Sequence, residues 1–124
     1  MTCPCGNTIE FENCCQKIHT DPSCAQSAEM LMRARYSAFV KHEIDFIYNT
    51  FHPSTRHFQD KKDIQQWAIS SKWMNLEILK STDTIVEFKA HYLDQYLETQ
   101  IHHERSTFKK DQGIWYYVDG IILP

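Results

Sequence analysis

The stretch Val86-Glu87-Phe88-Lys89-Ala90-His91-Tyr92 alternates apolar and polar side chains along its length. A period of two residues places the two sets of side chains on opposite faces of a β-strand, so we predict a strand with one face in the core. The same period begins near Leu76, returns in a long run from about Leu97 to Lys109, and ends around Trp115. The second half of the chain therefore predicts four strands.

Turn-forming residues separate these strands. The breaks are Ser81-Thr82-Asp83, Asp94-Gln95 and Asp111-Gln112-Gly113. Breaks of this length are typical of hairpins, which join antiparallel neighbours, so the four strands should form a meander.

Helical periodicity precedes the strands. Residues 28–40 place Ala28, Leu31, Met32, Ala38 and Phe39 on one face, and Ser23 or Ser27 is the expected cap. A short helix from Ile44 to Phe51 should stop at Pro53, and Asp60 should cap a third helix that carries Ile64, Trp67 and Ala68. Helices followed by strands indicate an α+β fold, with three helices packed on one face of the sheet.

Composition narrows the class of protein. The 124 residues have room for one domain and a short appendage, and 42% hydrophobic and 13% aromatic residues support a packed core. A formal net charge of −3 makes nucleic acid a poor partner. No apolar run is long enough to span a membrane, and the amino terminus lacks the pattern of a signal peptide, so we expect a cytoplasmic protein.

Four of the five cysteines lie within the first fifteen residues, in the pattern C-x-C-x8-C-C formed by Cys3, Cys5, Cys14 and Cys15. Four sulfur ligands suit tetrahedral zinc, whose binding would order a segment too small to fold on its own. Disulfides or free thiols are the alternatives, and Cys24 or His19 could substitute as a ligand. We expect a zinc knuckle over residues 1–20, a domain over residues 25–124, and a sheet domain that survives removal of residues 1–16.

The opening Cys3-Pro4-Cys5-Gly6 and the closing Cys14-Cys15 pair resemble the SEC-C motif. The motif usually has Ser-Gly where Asn7-Thr8 stands, and usually has Tyr at the position of Phe11. The resemblance implies zinc held by the four cysteines of the knuckle, and partners such as protein-export factors or the ribosome.

Longer stretches resemble the YchJ family of bacterial proteins. They are residues 28–40, Thr50-Phe51-His52-Pro53-Ser54-Thr55-Arg56, His103-Glu104-Arg105-Ser106, and Trp115-Tyr116-Tyr117-Val118-Asp119-Gly120. The resemblance implies a SEC-C knuckle joined to a nuclear-transport-factor-two-like domain, a cone of curved four-stranded sheet closed by helices. Family members often carry a second knuckle, whereas this sequence has one, so we expect a single zinc site.

Arg35 interrupts the apolar face of the first long helix. A buried guanidinium needs a compensating carboxylate, and Glu104 is the favoured partner because it shares a strand face with Ser106 and Phe108. The alternation turns His103 and Arg105 outward. We expect a structural ion pair between helix and sheet, with a ligand-binding pair as the alternative.

His52 and Arg56 bracket Pro53, where a cone fold has its pocket mouth, so they could form part of a site or only of a turn. The aromatic residues are expected in the core: Tyr36, Trp67, Trp73, Trp115 and Tyr117. We therefore predict a cone filled by aromatic side chains, or a small pocket with no second titratable group beside His52. No catalytic residue is assigned.

Two functions follow from these features. The first is a non-catalytic adaptor, in which the knuckle binds a protein or ribosomal partner and the cone provides a rigid or dimeric platform. The alternative is a small-molecule-binding protein, or an isomerase- or dehydratase-like enzyme, that uses the cone. A roomy cavity would favour the second function and a filled cone the first.

Overall fold

The structure is a computed structural model that describes residues 1–124. Its helices are α1 (Cys15–Thr20), α2 (Ala28–Lys41), α3 (Ile44–Asn49), α4 (Pro53–Arg56) and α5 (Lys61–Ser70), with single 3-10 turns at Phe11–Asn13 and Pro22–Cys24. Its strands are β1 (Lys72–Ser81), β2 (Ile85–Leu93), β3 (Thr99–Asp111) and β4 (Ile114–Ile122). No helix is long and apolar enough to cross a membrane.

The three predicted helices are confirmed as α2, α3 and α5. Ser27, rather than Ser23, caps α2, since its hydroxyl accepts a bond of 3.1 Å from the backbone N–H of Met30. Asp60 caps α5 through the backbone N–H of Lys62. Pro53 does more than stop α3, because it opens the extra turn α4, and its fixed φ suits a first helical position.

The predicted meander is also confirmed. The four strands pair antiparallel in the order β1-β2-β3-β4, and Phe88 of β2 lies opposite Glu104 of β3. One face of the sheet is buried, and it carries Val86, Phe88, Ala90, Glu104, Ser106 and Phe108. The helices pack on this face, so the fold is the predicted α+β arrangement.

A parallel bridge between Phe51 and Tyr117 joins the helical half to the last strand. The backbone N–H of His52 donates to the Tyr117 carbonyl, and the Tyr117 N–H donates to the Thr50 carbonyl, both at 2.8 Å. The segment after α3 is thereby fixed along part of β4.

Helix α2 lies at the centre of one continuous core. Its Leu31, Ala34 and Ala38 are fully buried. Cys3, Cys5, Cys15 and Ile18 of the amino-terminal segment belong to the same apolar cluster. The knuckle therefore packs directly on α2, and its independence from the sheet domain stays a prediction.

Candidate metal centre and ligand cavity

The four predicted cysteines converge on one point. The Sγ atoms of Cys3, Cys5, Cys14 and Cys15 all lie within 4.8 Å of one another, and the Cys5 and Cys14 sulfurs are 3.8 Å apart. Metal–sulfur bonds of about 2.3 Å in a tetrahedron place sulfur atoms about 3.8 Å apart. The four cysteines could therefore bind a metal ion with little rearrangement.

A tight turn and a helix start position the four cysteines of this cluster. Gly6 has φ +97°, a conformation that favours glycine, and its N–H bonds the Cys3 carbonyl. On the other side, α1 begins at Cys15, which places that thiol in the first helical turn. Cys3 and Cys5 thus approach from a loop while Cys14 and Cys15 approach from a helix start.

Polar neighbours surround the sulfur atoms. The Asn7 amide donates to Cys14 Sγ at 3.5 Å, and Ser37 Oγ of α2 lies 3.6 Å from Cys3 Sγ. The neighbouring Cys15 thiol lowers the pKa of Cys5, and the pKa of Cys15 is raised in turn. This shift favours the thiolate form of Cys5, which is the form that binds a cation.

The two substitute ligands are not part of the cluster. Cys24 is exposed on its own 3-10 turn. His19 instead donates from Nε2 to the Ala34 carbonyl at 2.7 Å, packs on the Phe46 ring, and has a pKa lowered by burial. His19 thus attaches α1 to α2 and does not ligate a metal here.

The cone contains a cavity of about 540 Å³ between α2, α5 and the inner face of the sheet. Apolar side chains form most of its wall, among them Met32, Phe39, Ile64, Trp67, Trp73 and Phe88. The predicted filled cone or small pocket is therefore wrong. The physical reason is that the aromatic rings pack edge to face along the wall, as Trp67 and Trp73 do at 5.5 Å, instead of crossing the interior.

Glu104 lies at the polar end of this cavity and is 7% exposed. It accepts hydrogen bonds from His102 at 2.7 Å, from Ser106 at 2.5 Å and from Tyr117 at 2.7 Å. Burial would raise the pKa of Glu104, but these three donors outweigh it and hold the pKa below its usual value. Glu104 is therefore an ionised, fully engaged carboxylate.

Gly120 of β4 makes room for that carboxylate. A Cβ atom at this position would lie 2.1 Å from Glu104 Oε2 and 2.7 Å from the Tyr117 hydroxyl. Gly120 and its neighbour Asp119 lie within β4 and line the cavity. A glycine inside a strand often marks a place where another group approaches the backbone closely. Gly120 was therefore the sequence signal for the position of this carboxylate.

Arg35 is buried at the cavity wall, as predicted, but it forms no ion pair with Glu104. Its Nη1 donates to the Ile47 carbonyl at 2.8 Å and to Thr50 Oγ1 at 2.6 Å. The guanidinium carbon lies 4.5 Å from the Phe51 ring and 4.6 Å from the Tyr117 ring. The predicted direct pair is wrong because the hydroxyl of Tyr117 occupies Glu104 while its ring covers Arg35.

His52 and Arg56 do not line the cavity. His52 bonds Asp111 at 3.0 Å and accepts from the Ser54 N–H, so it serves as the cap of α4. Arg56 donates to the carbonyls of Asn49 and Phe51. These contacts support the turn interpretation, and the bond to Asp111 also attaches the turn to the end of β3.

The histidine that does line the cavity is His102, which sequence reasoning missed as a site residue. The signal was its position two residues before Glu104 on a strand, which places both side chains on one face. Its Nε2 bonds Glu104, so the carboxylate fixes the orientation of the ring.

A family model for the middle, NTF2-like domain of YchJ matches residues 27–120. The chain belongs to the YchJ family. A UPF0225 protein of Photorhabdus laumondii is 39% identical across 96% of this chain and 79% of the relative. One from Geobacter sulfurreducens is 41% identical across 95% of this chain and 77% of its own length.

Two solved structures of SEC-C motif containing proteins are similar to this YchJ-family chain along its whole length. One, from Rhodopseudomonas palustris, has a TM-score of 0.90 and 32% identity and is covered completely. The other, from Psychrobacter arcticus, has a TM-score of 0.79 and 30% identity, with 84% of it covered. The cysteine cluster is thus a SEC-C motif, a metal-binding motif, on an NTF2-like domain.

Proposed function

We propose that this YchJ-family protein binds a small molecule in the cone and is stabilised by zinc at its knuckle. The open cavity carries the proposal. Its volume of about 540 Å³ lies in the range of ligand sites, and a few polar groups lie together at one end of a mainly apolar wall.

The energetics of the wall support a binding role over a purely structural one. Apolar surface left in contact with water forgoes about 25 cal/mol per Å² of burial energy. A protein that served only to present its knuckle could fill this volume with larger side chains. Retaining the space instead has a cost in stability, which a bound ligand would offset.

Zinc is the metal that suits four sulfur ligands. Cys3, Cys5, Cys14 and Cys15 would hold it, and four protein ligands leave no position for a reactive water. Zinc would therefore supply folding energy to the knuckle rather than chemistry. The cytoplasmic location that we expect would keep these thiols reduced.

We expect about one zinc ion per chain when the protein is purified under reducing conditions. Elemental analysis measures this directly. A Cys14→Ser/Cys15→Ser variant should lose the metal, and Cys24→Ser should retain it as the matched control. Metal-free wild-type protein with reduced thiols would contradict the zinc site.

Binding in the cavity can be tested with naphthamide, a neutral flat aromatic probe, titrated into isotope-labelled protein. The indole N–H signals of Trp67 and Trp73 should shift, since both rings line the cavity. Ala90→Phe, which adds a ring to the cavity wall, should weaken binding. Lys89→Phe places the same ring on the outer face of β2 and should not. Unshifted indole signals, or equal weakening by both variants, would refute ligand binding in the cone.

An enzymatic version of this function would use His102 as the proton acceptor. Glu104 bonds the Nε2 atom of its ring, which leaves Nδ1 as the nitrogen available to a ligand. An isomerase- or dehydratase-like reaction would then be abolished by His102→Phe, while probe binding would persist.

A second candidate function is the docking of a protein or ribosomal partner on the knuckle. The observation that favours it is a groove of about 170 Å³ beside the cysteines, lined in part by Ile9 and Met30. Ile9 is 50% exposed and Met30 is 36% exposed. Affinity capture with Ile9→Glu/Met30→Glu, which leaves all four cysteines in place, should lose the partner that the wild type retains. Capture unaffected by this variant would exclude docking through the groove.

A further inference from the structure

Arg35 keeps three N–H groups that no protein atom accepts. Both of its hydrogen bonds come from Nη1, and no carboxylate forms an ion pair with it. Across the chain, Trp115 Nε1 is the one fully inaccessible side-chain nitrogen or oxygen without a partner. Arg35 Nε and Nη2 also lack a partner, but they are not fully inaccessible. Since Arg35 lines the cavity, the space that these two atoms reach is the cavity.

The guanidinium remains charged in spite of its burial. At 5% exposure it has lost most of its hydration, and this burial lowers the pKa of Arg35 to about 10, with Tyr117 and Glu104 opposing the change. It is therefore protonated at neutral pH. Two aromatic rings compensate the charge only in part, so a closer anion would be stabilised strongly.

We infer that the ligand of the cone carries an anionic head group of the carboxylate class, which the free Nε and Nη2 edge of Arg35 binds. This inference rests on the proposed function. Nε–H and Nη2–H point side by side, so their spacing matches the two oxygens of a carboxylate. The apolar body of the ligand would lie among Phe39, Trp67 and Trp73.

The other charged groups of the cavity do not take the place of this anion. Glu104 is held by His102, Ser106 and Tyr117, so it cannot turn toward Arg35 without breaking those hydrogen bonds. Asp63 and Asp119 are the remaining carboxylates on the wall, and both are exposed, where water screens them.

The head group can be tested on the wild-type protein with three probes that share one ring system: naphthoate, naphthamide and naphthylmethylamine. Charge-assisted bonds should make the dissociation constant of naphthoate about tenfold lower than that of naphthamide. Naphthylmethylamine should bind most weakly. Equal affinities would overturn the inference and leave the cavity as a binding site. Tightest binding of the amine would place recognition on the carboxylates and also overturn it.

Two variants that each remove one positive charge test whether Arg35 causes the preference for naphthoate. Arg35→Gln should bring the affinities for naphthoate and naphthamide together, whereas Lys62→Gln, on the exposed start of α5, should leave the preference intact. Arg35→Lys keeps the charge but loses the paired N–H geometry, and should retain only part of the preference. If Arg35→Gln does not fold, the order of the three probe affinities on the wild type still tests whether the cavity prefers an anionic head group. Failure of all three probes to shift the tryptophan signals would instead remove the proposed function itself.

Discussion

Tyr117 contacts both buried charged side chains of the cavity, Arg35 and Glu104, and keeps them apart. Its ring lies 4.6 Å from the Arg35 guanidinium, and its hydroxyl donates to Glu104. Burial and the negative charge of Glu104 raise the pKa of Tyr117, so the hydroxyl keeps its proton and remains a donor. The two charges interact through this residue without a salt bridge.

Tyr117→Phe keeps the ring and removes one donor to Glu104. The hydrogen bonds to Glu104 hold its pKa in the folded protein below the ordinary value of 4.5. Ionised Glu104 therefore stabilises the fold above pH 4.5, and this stabilisation is lost as pH falls through the folded pKa. We expect Tyr117→Phe to lower the free energy of unfolding by about 1–3 kcal/mol at neutral pH. The loss should shrink as pH falls below 4.5 and passes through the folded pKa of Glu104, because the carboxylate then protonates.

Urea unfolding at neutral and acidic pH measures this difference. Tyr116→Phe is the matched control, because Tyr116 packs on His52 and lies outside the cavity wall. A loss that is the same at both pH values would show that the hydrogen bond to Glu104 is not its cause.

Gly120→Ala should destabilise the protein by forcing Glu104 out of its position. The added methyl group would overlap Glu104 Oε2, and overpacking of this kind costs about 1–3 kcal/mol. In a Glu104→Ala background the same change should cost less, because the clashing carboxylate is absent. Equal costs in the two backgrounds, measured by urea unfolding, would contradict the proposed steric conflict.

The elements and the cysteine cluster were largely predictable from the sequence, whereas the ligand cavity was not. The alternation of Val86, Phe88 and Ala90 reports a local property of one strand, and the buried face follows from it. Whether a buried aromatic side chain fills the cone or lines it depends on ring orientations set by three separate elements. Trp67 of α5 and Trp73 of β1 illustrate this, because no local pattern in the sequence indicates that their rings pack on each other.

The predicted ion pair between Arg35 and Glu104 was wrong for a related reason. The helical wheel correctly placed Arg35 inside, but its hydrogen bonds go to the carbonyl of Ile47 and the hydroxyl of Thr50. Backbone carbonyls at the end of a helix are acceptors on every sequence, so composition does not reveal which one a guanidinium meets.

Helix α1, which the sequence pattern did not predict, links the metal centre to α2. Cys15 begins it, and His19 at its other end bonds the Ala34 carbonyl. A six-residue helix has little stability of its own, so its order depends on these attachments.

Removal of the metal should therefore loosen α1 and the knuckle before the sheet. Chelation under reducing conditions should broaden or shift the amide signals of residues 1–20 while the strand signals persist. It should also lower the melting temperature of the whole chain, because Cys3, Cys5 and Cys15 belong to the common core. Calorimetry with and without chelator measures the second effect. An unchanged melting temperature would indicate that the knuckle contributes nothing to the stability of the sheet domain.

For the molecule as a whole, a change that fills the cavity should raise the free energy of unfolding and weaken ligand binding. Ala90→Phe buries new apolar surface on the cavity wall, so we expect it to raise the free energy of unfolding by about 0.5–2 kcal/mol while it weakens probe binding. Lys89→Phe, on the outer, half-buried face of β2, should not stabilise because it adds nothing to the cavity wall. Destabilisation by Ala90→Phe in thermal unfolding would show that the wall has no spare room at that point.

The bridge between Phe51 and Tyr117 also bears on self-association. A sheet of four strands in an open meander has two edges, β1 and β4, whose unpaired backbone groups could recruit a strand from another molecule. Irregular register interrupts β1 at two places, near Trp73 and near Ile78, and such bulges discourage further pairing. On β4, backbone bonds from Thr50 and His52 already occupy the groups of Tyr117. The contact between the helical half and β4 thus also occupies the edge of the last strand at Tyr117, where a strand from another molecule would otherwise pair.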